Sequence, residues 1–234
     1  MTGAEVLRSA LLNPALLGTR WRADQSDTGP HLPPIRLPKL PPCQHEPQLV
    51  VMIFDDSGSV TGSNDPVGNR YEEAAVALEH FARRCRCRAD LVAVRHFDIG
   101  TIGDVGPLPL DRRRLPELRR APSVPRRTYG SSSLGPALNE AERLAARFPD
   151  HPVTLMVASD FELTDASPID VLHQFGRWAY GPVHAVVLRA APSVELQGTN
   201  AILTSVRWDS PRGVVASALL QTLVPPAGSR GVAT

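Results

Sequence analysis

The stretch Val50-Val51-Met52-Ile53-Phe54-Asp55-Asp56-Ser57-Gly58-Ser59 constrains the fold more than any other part of the chain. An unbroken apolar run of strand length implies burial on both faces, as in a parallel sheet covered by helices on either side. The run ends in a carboxylate followed by hydroxyls two residues apart, and sheets of this kind place their ligands at the carboxyl ends of strands. Oxygen donors this close together suit a hard divalent cation, Mg²⁺ or Mn²⁺, better than zinc.

Helices and strands alternate downstream. A helix is predicted over 70–86, with Ala74, Ala75, Leu78, Phe81 and Ala82 on one face and Glu72, Glu73, Glu79, Arg83 and Arg84 facing away. A strand follows over 90–97, and a segment within 101–110, broken by glycines and prolines, reads as an edge strand. A helix through about 147 precedes a second buried strand, 152–159, which ends at Asp160. The pattern closes with a helix over 168–178, strands over 183–188 and 201–208, and a helix over 212–223. This alternation implies an α/β fold: a doubly wound, mostly parallel sheet with helices on both faces.

The 234 residues accommodate one such domain with an extension. Residues 1–47 read as a short amphipathic helix over 4–12, stopped by Pro14, and then an arm carrying Pro30, Pro33, Pro34, Pro38, Pro41, Pro42 and Pro47. Residues 48–225 form the domain, and 226–234 a flexible tail. The short helix serves either to pack on its own domain or to dock on a partner.

A formal charge of +1 provides no global field for nucleic acid or membrane. Cys43, Cys85 and Cys87 build no even disulfide framework, the amino terminus lacks the features of a secretory signal, and no apolar run is long enough to cross a bilayer. These features point to a cytoplasmic protein. No phosphate-binding loop, nucleophile elbow or paired-histidine metal motif is present.

Charge is concentrated in one place. Seven arginines, Arg112, Arg113, Arg114, Arg119, Arg120, Arg126 and Arg127, fall within 111–127 beside two acids. Such a window is a solvated helix or loop, or a surface for an acidic partner, to which Arg112, Arg113, Arg114, Arg126 and Arg127 would contribute bidentate contacts. Aromatic residues for base stacking are missing from it, which argues against nucleic acid.

Three segments together carry a family resemblance. Asp55-x-Ser57-Gly58-Ser59 resembles the D-x-S-x-S signature of von Willebrand factor A domains, and Gly130-Ser131-Ser132-Ser133-Leu134-Gly135-Pro136-Ala137-Leu138 resembles their G-x-T-x-L-G-x-A-L pattern. Ser132 stands there in place of threonine, with Thr128, Ser131 and Ser133 as alternative registers. Asp160, closing a buried strand, resembles the third loop.

The resemblance implies a Rossmann-like sheet of six strands in the order 3-2-1-4-5-6. It also implies a metal-ion-dependent adhesion site in which Asp55, Ser57, Ser59, Ser132 and Asp160 hold Mg²⁺ or Mn²⁺ and an Asp or Glu of a protein partner takes an open position. Small bacterial proteins resembling this one work as adaptors beside ATPase-containing, stress-response or defence systems. On this reading Asp56 points outward, and Phe161-Glu162 departs from the glycine often found after the third-loop Asp.

Each residue also has a plainer role open to it: Asp55 and Asp160 as helix caps, Ser57 and Ser59 as turn formers. Two other functions compete with the adaptor. One is a metal-dependent phosphoester hydrolase, needing a base from Asp56 or Glu162. The other is a metal-free scaffold.

Overall fold

The computed structural model describes residues 35–40, 46–61, 70–84, 89–97, 103–124, 130–207 and 209–224. The chain divides into two compact units, 1–34 and 35–234, and all described residues belong to the second. The segment 4–12, the cysteines, Arg126, Arg127 and the tail 226–234 lie outside the described residues.

The apolar run before Asp55 is β1 (Leu49–Phe54), buried along its whole length. Successive side chains point to opposite faces of a sheet, and β1 feeds two cores in this way. Val50, Met52 and Phe54 enter one, and Leu49, Val51 and Ile53 the other. The sheet continues with β2 (Leu91–His96), β3 (Val105–Pro109), β4 (Val153–Ser159), β5 (Val183–Leu188) and β6 (Ile202–Val206). Its order is β3-β2-β1-β4-β5-β6, with only the β2–β3 pair antiparallel. This is the predicted order, and the proline-bearing β3 occupies an edge, where a missing amide costs no ladder bond.

The helices are α1 (Gly58–Thr61), α2 (Arg70–Arg84), α3 (Leu115–Arg120), α4 (Gly135–Ala145), α5 (Pro168–Gly176), α6 (Val194–Gln197) and α7 (Val214–Leu223). Side chains of α2 and α7, among them Leu78, Phe81, Leu219 and Leu223, fill the first core. Those of α4 and α5, among them Leu138, Leu144, Leu172 and Phe175, fill the second. Ile35, Leu37 and Leu40 are partly buried against the first core, so part of the proline-bearing arm lies on the domain.

The long elements fall where periodicity puts them, within a few residues. The short α1 and α6 carry too few turns to show a period. The arginine window forms a 3₁₀ turn, Arg112–Arg114, running into α3; Asp111 caps it by accepting from the amides of Arg113 (2.8 Å) and Arg114 (3.2 Å).

Glu73 corrects one expectation. Placed on the solvent face by period, it is buried, and its Oε2 accepts from the amides of Val215 (3.0 Å) and Ala216 (3.3 Å). α7 follows Gly213, which has left-handed backbone and no capping side chain, so its first-turn amides draw their acceptor from α2 instead. At the far end Gln48 Nε2 donates to the carbonyl of Leu223 (2.9 Å).

Replacing Glu73 with alanine leaves buried amides without this acceptor. It should lower stability by about 2 kcal/mol, read as a reduced midpoint in urea unfolding. Glu73→Gln, which keeps one acceptor, should cost less. Equal stability of all three proteins would contradict the capping role.

Candidate metal centre

β1 and β4 are neighbours at the middle of the sheet, in parallel register with Phe54 opposite Ala158. The residues that follow them, Asp55 and Ser159-Asp160, therefore meet at the same edge, beside the point where the strand order reverses. Asp55 is fully buried. Its Oδ2 accepts from Ser159 Oγ (2.6 Å) and its Oδ1 from the Ser57 amide (2.8 Å), which joins the ends of both strands and turns the chain into α1. The Tyr71 hydroxyl donates to the Asp55 carbonyl from α2. On this turn the hydroxyls of Ser57 and Ser59 come to 2.9 Å of each other.

Asp160 is nearly buried, and its Oδ1 accepts from the Glu162 amide (3.1 Å). Between them Phe161 has left-handed backbone, φ 58°, and donates its amide to Ser159 Oγ (2.8 Å). A non-glycine residue held there costs about 1 kcal/mol or more and persists only where its surroundings enforce it.

The loop of Ser132 reaches both other loops through the main chain. Gly130 lies beside the first: a Cβ added there would be in ordinary contact, 3.8 Å, with the Asp56 carbonyl and the Gly58 amide. The Ser132 carbonyl accepts from the Thr164 amide (3.1 Å). The Ser131 hydroxyl turns back to the Ser133 amide (3.1 Å).

Burial is the largest influence on Asp55 and pushes its pKa up from 3.8 to about 6; hydrogen bonds from Ser159 and Ser57 work against it, and the charge of Asp160 adds to the rise. Tyr71 is pushed well above its usual value, first by burial and then by the charges of Asp56, Asp55 and Asp160. Carboxylates and hydroxyls therefore converge in a place of low solvation and negative potential. No group of three or more His, Cys, Asp or Glu side chains among the described residues is placed to hold an ion. The oxygen donors at the ends of β1 and β4 are of the chemical kind that a hard divalent cation takes.

Asp56 departs from the expectation that it points outward. Its side chain and that of His96 have no solvent exposure, and Oδ2 stands 2.8 Å from His96 Nδ1. The β1–β2 register explains this: Phe54 is opposite His96, so the residue just past the strand end falls beside the imidazole. The other ring nitrogen, Nε2, is 3.1 Å from the Ala121 carbonyl.

Three contributors escaped the sequence reading. Ser159 lacked any motif. Asp165 caps α4 from thirty residues away, accepting from the amides of Leu134 and Gly135 at 2.9 Å each. Its one signal was a helix beginning Leu-Gly-Pro with no capping side chain of its own. Arg189 donates to the Ser59 carbonyl from the end of β5.

The described arginines of the charged window are exposed and mostly engaged within the molecule. Arg119 makes a two-pronged contact with Glu79 (2.6 Å each), Arg114 pairs with Glu117 (3.2 Å), and Arg112 donates to the Arg83 carbonyl (2.9 Å). Arg113 is exposed, and its amide is held by Asp111.

No protein-family model and no curated protein sequence matches the chain. Solved structures do. Proximal thread matrix protein 1 from the mussel byssus superposes with a TM-score of 0.56 at 15% identity, over 78% of this chain and 49% of that one. The pilus adhesin SpaC from Lactobacillus rhamnosus GG gives 0.59 at 14% identity, over 78% and 30%. BatB from Bacteroides thetaiotaomicron gives 0.52 at 16%, over 75% and 97%.

The fold is that of a von Willebrand factor A domain. The chain spans half or less of the byssus and pilus proteins and nearly all of BatB. One structure of the byssus protein is described as having a zinc-occupied adhesion-site motif. No helix among the described residues is long and apolar enough to cross a membrane.

The raised pKa of Asp55 fixes a sign. A carboxyl that holds its proton more tightly when folded contributes stability below about pH 4 and loses it as pH rises through about 6. In chelator, unfolding free energy should therefore fall between these values by up to about 3 kcal/mol on account of Asp55. Asp55→Asn should remove that part of the slope and be the more stable protein at neutral pH. Denaturant titrations across this range check it; parallel curves for the two proteins would contradict it.

Proposed function

We propose that the chain is a non-enzymatic protein-binding module that holds Mg²⁺ or Mn²⁺ at Asp55, Ser57, Ser59, Ser132 and Asp160 and grips an Asp or Glu of a partner protein. The observation that carries this reading is the meeting of two nearly buried carboxylates, from the ends of adjacent central strands, with a pair of serine hydroxyls 2.9 Å apart. Hydroxyls contribute no charge, so the two carboxylates at most balance a divalent ion held here, and a coordination position left open on it would accept an anionic group. The occurrence of an adhesion-site motif with metal in a structure of similar fold supports it. An adaptor role beside an ATPase-containing assembly, with the exposed Arg112, Arg113 and Arg114 meeting acidic surface, belongs to the same proposal, as does a cytoplasmic location.

The hydrolase alternative needs a general base that reaches the substrate. Asp56, one of its two candidates, is enclosed with His96 away from solvent, and Glu162 is the one left. This favours binding over turnover.

Calorimetric titration of Mg²⁺ and Mn²⁺ tests the proposal. Wild type should bind one ion, and Asp55→Ala should lose at least tenfold in affinity. A partner from the native host should co-purify with wild type and leave on addition of chelator. Equal ion binding by the variant would contradict the site; phosphoester turnover lost in Asp160→Ala would favour the hydrolase.

A further inference from the structure

The start of the arginine window and the candidate metal centre lie at opposite ends of the sheet. β3 runs antiparallel to β2, and its last residue, Pro109, is opposite Leu91, the first of β2. Leu91 in turn is opposite Leu49, the first of β1. The Leu110 amide donates to the Asp90 carbonyl (2.9 Å), and the chain then enters the 3₁₀ turn Arg112–Arg114. That turn therefore leaves the sheet where β1 begins, whereas Asp55 stands where β1 ends. β1 is six residues long, so at about 3.3 Å per residue roughly 20 Å of sheet separates the two ends. A single acidic side chain cannot meet both.

Two elements build one basic face at the far end. α2 finishes with Arg83 and Arg84, and Arg112 Nη2 donates to the Arg83 carbonyl (2.9 Å), which seats the 3₁₀ turn against the end of α2. Over 79–84 and 111–120 seven arginines stand beside three carboxylates, in a chain with 25 basic and 24 acidic residues, so the excess is local. The carboxylates are already engaged: Glu79 with Arg83 and Arg119, Glu117 with Arg114, and Asp111 with the amides of the turn that it caps. Arg84 and Arg113 are exposed, and among the described residues no side chain takes either guanidinium. Cations suit the last turn of α2, but bringing three successive arginines against it adds like-charge repulsion that the fold does not require.

A guanidinium fork matches carboxylates and phosphates alike. The neighbours of these arginines decide between them. Glu79, Asp111 and Glu117 lie among the cations, where they oppose a backbone charged at every nucleotide and leave room for a segment whose acids are spaced by neutral residues. Phe81, the one Phe, Tyr or Trp in the two segments, is buried, so no platform for base stacking accompanies the arginines. Within the molecule, Arg119 already takes a carboxylate two-pronged, at Glu79 (2.6 Å each).

We infer that Arg84, Arg112 and Arg113 form a second binding face, independent of the metal, for a protein segment carrying spaced Asp or Glu residues. Together with the metal-dependent grip proposed above, this face makes the chain a two-ended adaptor that joins two acidic sites across the length of the sheet.

A fluorescently labelled peptide of repeating Glu-Ser-Gly is the probe, read by anisotropy with the full chain in chelator. Wild type should bind it at low salt and release it as potassium chloride is added. Arg84→Gln combined with Arg113→Gln should lower the affinity roughly tenfold, each exposed charge contact being worth a factor of about two to five. Both side chains are exposed, so the urea midpoint of this variant should match that of wild type. Arg147→Gln combined with Arg177→Gln removes the same charge from exposed positions after α4 and α5, on the other face of the sheet, and should change the affinity by less than about twofold. Asp55→Ala should bind the peptide as wild type does, so a failure of the metal site leaves this result standing.

Equal losses in the two double variants overturn the inference, because net charge alone then explains the binding. So does an absence of binding at low salt. Tighter binding of a DNA duplex, or of vesicles of phosphatidylserine and phosphatidylcholine, overturns the choice of carboxylate and assigns the face to phosphate. Peptide binding that needs Mg²⁺ and is lost in Asp55→Ala overturns the second face and places the peptide at the metal centre.

Discussion

The bond from Ser159 Oγ to Asp55 Oδ2, 2.6 Å across the ends of two central strands, is the contact on which the candidate centre depends. It fixes one carboxylate oxygen while the Ser57 amide fixes the other, so the chain leaving β1 has one way to turn and α1 begins where Ser57 and Ser59 face each other. Ser159 also accepts from the Phe161 amide, and the same hydroxyl therefore sets the course of the third loop. A buried carboxylate is costly, and its neighbours here lower that cost without removing it. The fold holds the group in an environment that favours protonation, and a cation at this place would relieve that cost.

Carboxylates serve the fold a second way. α4 and α7, on opposite faces of the sheet, both begin without a capping side chain and borrow one: α4 from Asp165 and α7 from Glu73. Asp165 ties the loop carrying Ser132 to the segment that follows Asp160, which joins the second and third loops. Glu73 lies two residues from Tyr71, which holds the Asp55 carbonyl, and α2 therefore links the first loop to α7.

What was legible in the sequence follows from range. The unbroken apolar run of β1, buried on both faces, and the helical period along α2, α4 and α7 act over a few residues, and they define the elements and hence the doubly wound sheet. Asp55, Ser57, Ser59, Ser132 and Asp160 stood out because three segments, in order, resemble the loops of a known metal site, and the sheet places the ends of β1 and β4 side by side. The parts that stayed hidden all depend on contacts across more than twenty residues: Glu73 turned inward to α7, Asp56 enclosed with His96, Asp165 on α4, and Arg189 on Ser59. Period and propensity carry no information about such pairs. The register of neighbouring strands, once known, explains Asp56 at least.

The ends of β1 and β4 are proposed to form one cation site of mixed hydroxyl and carboxylate donors. Anomalous diffraction from crystals grown with Mn²⁺ tests it most directly. A single strong peak is expected in contact with Ser57 Oγ and Ser59 Oγ, bounded by Asp55, Asp160 and the Ser132 loop. A peak held by other residues, or none at these hydroxyls with Mn²⁺ in excess, would contradict it.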